Sequence, residues 1–154
     1  MPESQKESQT KGPILALDLG EKLVGVAVSD ELLVTTNPLA PLKRSNWKQL
    51  LRDVEMLIKR FDAKALVIGL PLRLDGTTGN AAESISRLAG NFSKSLKIPV
   101  YLQDERLTSF EARERLLSAG HDESEIRNLI DGEAAALILG DFVNGTGSVK
   151  LVQP

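Results

Sequence analysis

Apolar residues recur along this chain in two rhythms, and the switches between them lay out its elements. Ile14 to Leu19 and Val24 to Val28 are apolar runs of strand character, parted by Gly20-Glu21-Lys22. Glycine permits a sharp turn there, so the two runs predict a β-hairpin. Leu33-Val34-Thr35-Thr36 predicts a third strand, ended by Asn37-Pro38, with Pro41 keeping the next segment extended. Leu50, Leu51, Val54, Leu57, Ile58 and Phe61 then fall at helical spacing behind Ser45 and Asn46, either of which can cap a helix reaching about Phe61. Ala65 to Pro71 is wholly apolar and rich in β-branched residues, as a central strand covered on both faces requires. After a loop from Leu72 to Asn80 that carries Asp75-Gly76-Thr77-Thr78-Gly79, a helix is predicted from Ala81 to Leu96, with Ile85, Leu88, Ala89 and Phe92 on one face.

Pro99 to Gln103 predicts another strand, running into Asp104-Glu105-Arg106. Thr108 or Ser109 can cap a helix from Phe110 to Ala119 that Gly120 ends. Asp122 to Ile130 reads as a short helical stretch that Asp131 opens or interrupts, and Ala134 to Leu139 continues as a buried helix. Residues 1–12 and 146–154 carry no such pattern and are expected to be a disordered N-terminal tail and a loose C-terminal tail. Hairpin-joined strands followed by strand–helix alternation imply an α/β fold over residues 13–145, a mixed central sheet flanked by helices. Function in such folds collects where strands end.

Composition narrows the chemistry. A chain of 154 residues, 42% hydrophobic and 26% charged, suits one globular domain with a single substantial core. It holds no cysteine and one histidine, so disulfides and thiolate metal sites are excluded and an imidazole site has little to work with. Any metal must be held by carboxylates, which favours hard cations such as Mg²⁺ or Mn²⁺. No apolar run reaches the roughly 20 residues that span a bilayer, and the start is polar, so a cytoplasmic protein is expected. The net charge of −2 lacks the basic balance usual in nucleic-acid binders, so a polyanionic partner would have to meet cations gathered locally.

Asp18 stands out against this background because a carboxylate inside an apolar strand is costly unless its charge is compensated. Its plainer reading is a residue that accepts turn hydrogen bonds. Asp104-Glu105 at the end of a later strand and Asp131 near the last helix share its setting. Two carboxylates about 4 Å apart repel by roughly 4 kcal/mol at an effective dielectric of about 20, so something positive must sit among them if they converge. Converging carboxylates are what two-metal phosphoryl-transfer sites use.

Four ordered motifs carry a resemblance: Asp18-Leu-Gly-x-Lys-x-x-Gly-Val-Ala-Val-Ser-Asp30, Val67-Ile-Gly-Leu-Pro-Leu-x-x-Asp-Gly-x-x-Gly79, Asp104-Glu-Arg-Leu-Thr108 and Ile130-Asp-x-x-Ala-Ala135. Over residues 13–145 the chain resembles the YqgF-type family of pre-16S rRNA nucleases, also described as Holliday-junction-resolvase-like. The resemblance implies a ribonuclease-H-like fold, metal-assisted cleavage of phosphodiester bonds and maturation of the 5′ end of 16S ribosomal RNA. It implies Asp18 as the central metal-bridging carboxylate, Glu105 as the second ligand and Asp131 as the third, with Asp104 orienting Glu105 or Arg106. Gly132 departs from the larger residue common in relatives, which leaves the local start of the helix open.

The remaining polar residues each have two readings. Arg106 either pairs with Asp104 or contacts the scissile phosphate, and Arg73 lies in a Gly-rich loop whose backbone amides can approach an anion. Lys22 at the hairpin tip is a substrate contact or a solvated lysine. Lys43, Arg44 and Lys48 form a basic cluster that reads as a solvated face. His121 reads as a cap residue, and Trp47 and Tyr101 as packing residues. The alternatives to an RNA nuclease are a Holliday-junction-type DNA endonuclease and a non-catalytic RNA-binding or transcription-associated module. The Asp18-x-Gly20 turn also resembles the phosphate loop of sugar kinases and actin-like ATPases, but those close two such domains on a nucleotide and this chain has length for one.

Overall fold

The opening hairpin forms the middle of the sheet. The computed structural model describes residues 11–71, 79–105 and 114–154, with backbone alone for helix positions 123–124 and 126–132. Strand β1 (Ile14–Leu19) pairs antiparallel with β2 (Leu23–Ser29), placing Asp18 opposite Gly25. β2 pairs antiparallel with β3 (Thr36–Lys43). On its other side β1 lies parallel to β4 (Ala65–Leu70), and β4 parallel to β5 (Val100–Asp104). With β6 (Val149–Leu151) antiparallel to β5, the six strands run in the order β3-β2-β1-β4-β5-β6. The mixed sheet with flanking helices expected from the pattern is therefore present.

Strand alternation divides the core between two faces. Leu15, Leu17, Leu19, Val24, Val26, Leu66, Ile68 and Val100 pack with Leu50, Val54, Ile85, Ala89 and Phe92 from helices α1 (Trp47–Phe61) and α2 (Asn80–Ser95). Each large side chain buried there contributes about 1.5–3 kcal/mol relative to exposure. Ile14, Ala16, Ala27, Ala65 and Val67 on the other face meet Ala135, Ala136, Ile138 and Leu139 of helix α3 (Glu123–Asn144). The small residues on both sides of that contact let the helix approach the sheet closely. The Asn46 side chain caps α1 by accepting from the Gln49 amide at 2.9 Å. Trp47 meets Phe92 edge-on at 4.8 Å and Tyr101 meets Phe142 at 5.0 Å, the packing roles expected of both.

Three expectations need correction. The third strand is not Leu33–Thr36 but begins at Thr36 and passes through both prolines. Asp30 Oδ1 accepts the Val34 and Thr35 amides at 2.7 and 2.8 Å, which draws Leu33 (φ 61°) and Val34 into a loop. These bonds hold the Asp30 carboxyl below its ordinary range. β3 is an edge strand, where a proline's missing N–H leaves no ladder bond unmade.

Asp131 neither opens nor interrupts a helix. α3 is continuous from Glu123, started by a capping box in which Asp122 and Glu125 bond each other's backbone amides, and Gly132 does not break it. The C-terminal segment is not a loose tail, because Asp104 N–H donates to Ser148 O at 3.0 Å and Val152 N–H to Val100 O at 2.8 Å. No described helix is long and apolar enough to cross a membrane.

Candidate active site

The parallel pairing of β1, β4 and β5 brings their carboxyl ends side by side, and the candidate carboxylates stand there. Asp18, one residue from the end of β1, shares the sheet face of Ile14 and Ala16. Glu105 follows β5 directly, and its N–H donates to Leu70 O at 3.0 Å, extending the β4–β5 ladder. Alternation from Tyr101 through Gln103 carries Glu105 to the same face as Asp18.

Between them lies Gly69 of β4. A Cβ there would stand 2.5 Å from Ile138 Cδ1 and 2.7 Å from both Cδ and Oε2 of Glu105. The absent side chain is the space the Glu105 carboxylate occupies. Gly69→Ala should therefore push Glu105 or α3 aside, lowering stability by about 1–3 kcal/mol and activity at least about tenfold, since misplacing a group by about 1 Å can cost a hundredfold. Thermal unfolding and cleavage rates of this variant check it, and parent-like values in both would show that the cradle yields freely.

Glu105 is only 9% exposed, and its Oε2 has no hydrogen-bond partner. Burial, then the charge of Asp18, a hydrogen bond with Asp18 and the charge of Asp104 push its carboxyl up to about 9. Asp18 and Glu105 are thus in direct contact, and every cause acting on Glu105 favours its protonated form beside Asp18. A proton on Glu105 answers the electrostatic demand posed by the sequence, because it keeps the buried Glu105 and the half-buried Asp18 from repelling.

The residues fit a hard divalent cation. Carboxylate oxygens suit Mg²⁺ or Mn²⁺, and a buried oxygen with no hydrogen bond is free to bind one in place of the proton. Among the described residues no three ligating side chains gather. Position 131 is the expected third, and its side chain lies outside the description. Its place on the backbone is nonetheless informative. Ile138 reaches Gly69 near the end of β4 while Phe142 packs on Tyr101 near the start of β5, so α3 advances past the carboxyl ends as it is followed backward. Position 131 lies two turns before Ile138 on the same stripe, about 11 Å farther along.

Of the other candidates, Lys22 is exposed on the turn after Asp18. Arg73, Arg106 and most of the Gly-rich loop lie outside the described residues. His121 Nδ1 sits 3.3 Å from Glu125 Oε2 beside the start of α3. The solvated-face reading of Arg44 is incorrect: its Nη1 donates to Gly20 O at 2.9 Å, clamping the turn that follows Asp18. In the sequence Gly69 reads as one more residue of an apolar strand, although an interior strand glycine is itself a sign of close approach.

Residues 12–145 match the family model described as RuvX, Holliday junction resolvase. A protein of Syntrophus aciditrophicus named "Putative pre-16S rRNA nuclease" is 39% identical over 138 residues, covering 90% of this chain and 92% of that one. A relative of the same name from a Synechococcus species is 38% identical over 130 residues, covering 84% and 87% of the two chains. The solved structure of Thermus thermophilus RuvC superposes with a TM-score of 0.53 at 14% identity, covering 90% of this chain and 100% of that one, a likeness of fold. With its ribonuclease-H-like sheet, paired carboxylates at the strand ends and a family match from residue 12 to 145, this chain belongs to the RuvX family of nucleases.

Proposed function

We propose that the protein is a metal-dependent nuclease that matures the 5′ end of pre-16S ribosomal RNA in the cytoplasm. The observation that carries this is the contact between half-buried Asp18 and buried Glu105, whose carboxyl that contact raises and whose Oε2 is without a hydrogen bond. Two carboxylates in contact at strand ends, one of them buried and raised by the other's charge, are an arrangement that a bound cation stabilises, and acidic groups perturbed in this way mark functional sites. The names of the relatives supply the RNA substrate, and the backbone position of Asp131 supports it as the third ligand.

In this reading Asp18, Glu105 and Asp131 hold Mg²⁺ or Mn²⁺. A bound pair of such ions supplies activation of water and stabilisation of the leaving oxygen. Glu105 gives up its proton on loading, and its approach through the Gly69 gap fixes the carboxylate relative to Asp18. Lys22, Arg73 and Arg106 serve as phosphate contacts that position the strand.

Cleavage should be lost in EDTA and return with added Mg²⁺ or Mn²⁺, whereas undiminished cleavage with excess chelator would remove the metal from the mechanism. The family description favours a second substrate, a four-way DNA junction. Offering a ribosomal RNA precursor and a four-way junction side by side decides between them. Binding of RNA with no cleavage of either, under any metal, would instead point to a non-catalytic module.

A further inference from the structure

We propose that Lys22, Lys43 and Arg44 form a basic ledge that holds a substrate phosphate outside the reacting centre, on the β3 side of Asp18. The inference rests on the nuclease reading above and adds a binding site to it. Because both opening hairpins are antiparallel, β2 begins and β3 ends at the same end of the sheet where β1 delivers Asp18. Lys43 pairs with Leu23, and the Arg44 N–H donates to Lys22 O at 2.9 Å, so the three cations stand together.

Lys43 also stands on the right face. Leu42 and its partner Val24 pack into the core beneath α1 and α2, so alternation turns Lys43 to the opposite face, that of Asp18. Two strand spacings of about 4.8 Å and two residues of about 3.4 Å separate their Cα atoms by about 12 Å. At about 3.4 Å of helix axis per phosphate of one strand, that is a few nucleotides from the scissile bond.

Arg44 is the best prepared of the three. Its guanidinium is partly buried and tethered to Gly20 O, yet it carries five N–H donors and spends one of them there. A group already held in place loses less freedom when it meets a phosphate. The lysines beside it are exposed and add charge without a fixed geometry. A polyanion brought to Asp18, Asp104 and Glu105 on a chain of net charge −2 needs cations at that end of the sheet, and these supply them. The plainer account makes Arg44 a turn clamp and the lysines solvated.

The test is binding, read in full-length protein carrying Asp18→Asn so that cleavage does not intervene. Anisotropy of a labelled single-stranded RNA oligonucleotide and of a labelled four-way DNA junction is titrated across a range of salt. Adding Lys22→Ala and Lys43→Ala should weaken binding of both probes about tenfold and reduce the slope of log affinity against log salt by about 1.4–1.8, two phosphate contacts at about 0.7–0.9 each. The melting temperature should not move, because both side chains are exposed. Arg44→Ala should weaken binding further, and Arg44→Lys, which keeps the charge, should restore the slope but not the full affinity. If the Asp18→Asn parent binds and the double lysine variant binds equally well with the same slope, the ledge is overturned and the nuclease reading stands. If the parent binds neither probe, the nuclease reading falls and takes the ledge with it.

Discussion

Asp18→Asn is expected to reduce cleavage by at least about a thousandfold while leaving the protein folded. Asparagine keeps the shape and can still bond Glu105, but it removes the charge that would hold cations at the end of β1. A thousandfold loss corresponds to about 4 kcal/mol of transition-state stabilisation, the scale on which residues acting as one catalytic unit fail. In the metal-free protein the substitution also removes one of the two charges that raise the Glu105 carboxyl, so the melting temperature should hold or rise. An aspartate that merely accepted turn hydrogen bonds would behave the opposite way, melting earlier and cutting normally. Unfolding without metal and cleavage with metal, on one preparation, tell these apart, and a destabilised but active variant would reject the site.

Glu105 should make the metal-free protein less stable as the solution becomes more alkaline. Its carboxyl titrates near 4.5 when the chain is unfolded and near 9 in the folded state. Below 4.5 it is protonated in both states and contributes nothing. Between those values the folded chain retains a proton that the unfolded chain has released, so stability falls with rising pH, by at most about 1.4 kcal/mol per unit. Above the folded value the loss is complete. Glu105→Gln, uncharged throughout, should abolish this slope and melt later than the parent at pH about 8 in EDTA, yet be inactive with metal. Saturating Mg²⁺ or Mn²⁺ should flatten the parent's slope too, because a cation takes the place of the proton. Melting curves across pH, with and without metal, measure all of this. A parent whose stability rose across this window would show that Glu105 is ionised in the folded protein.

Local chemistry was enough to read much of this architecture. The apolar runs of β1, β2, β4 and β5, the Asn46 cap and the stripe of Ile85, Ala89 and Phe92 are short-range patterns, and a strand or helix of that kind states its own buried face. The candidacy of Asp18 and Glu105 was legible for a related reason: a carboxylate at the edge of an apolar strand needs a compensating partner wherever the strand goes. The sequence also offered Asp131 as a helix start, because Asp and Gly132 locally favour a break, but packing of Ala134 to Leu139 against the sheet carries the helix straight through. The path of β3 through Pro38 and Pro41 was settled by its place at the sheet edge, which no local pattern announces. The C-terminal strand, three residues long and exposed, has too little hydrophobic pattern to declare itself and exists because β5 presents an open edge. Tertiary structure alone decided that Gly69 makes room for Glu105, that Arg44 turns back onto Gly20, and that Asp18 and Glu105 touch. Those contacts join residues 24 to 87 positions apart in the chain, and only parallel strand pairing and antiparallel hairpins bring such distant positions to one end of one sheet.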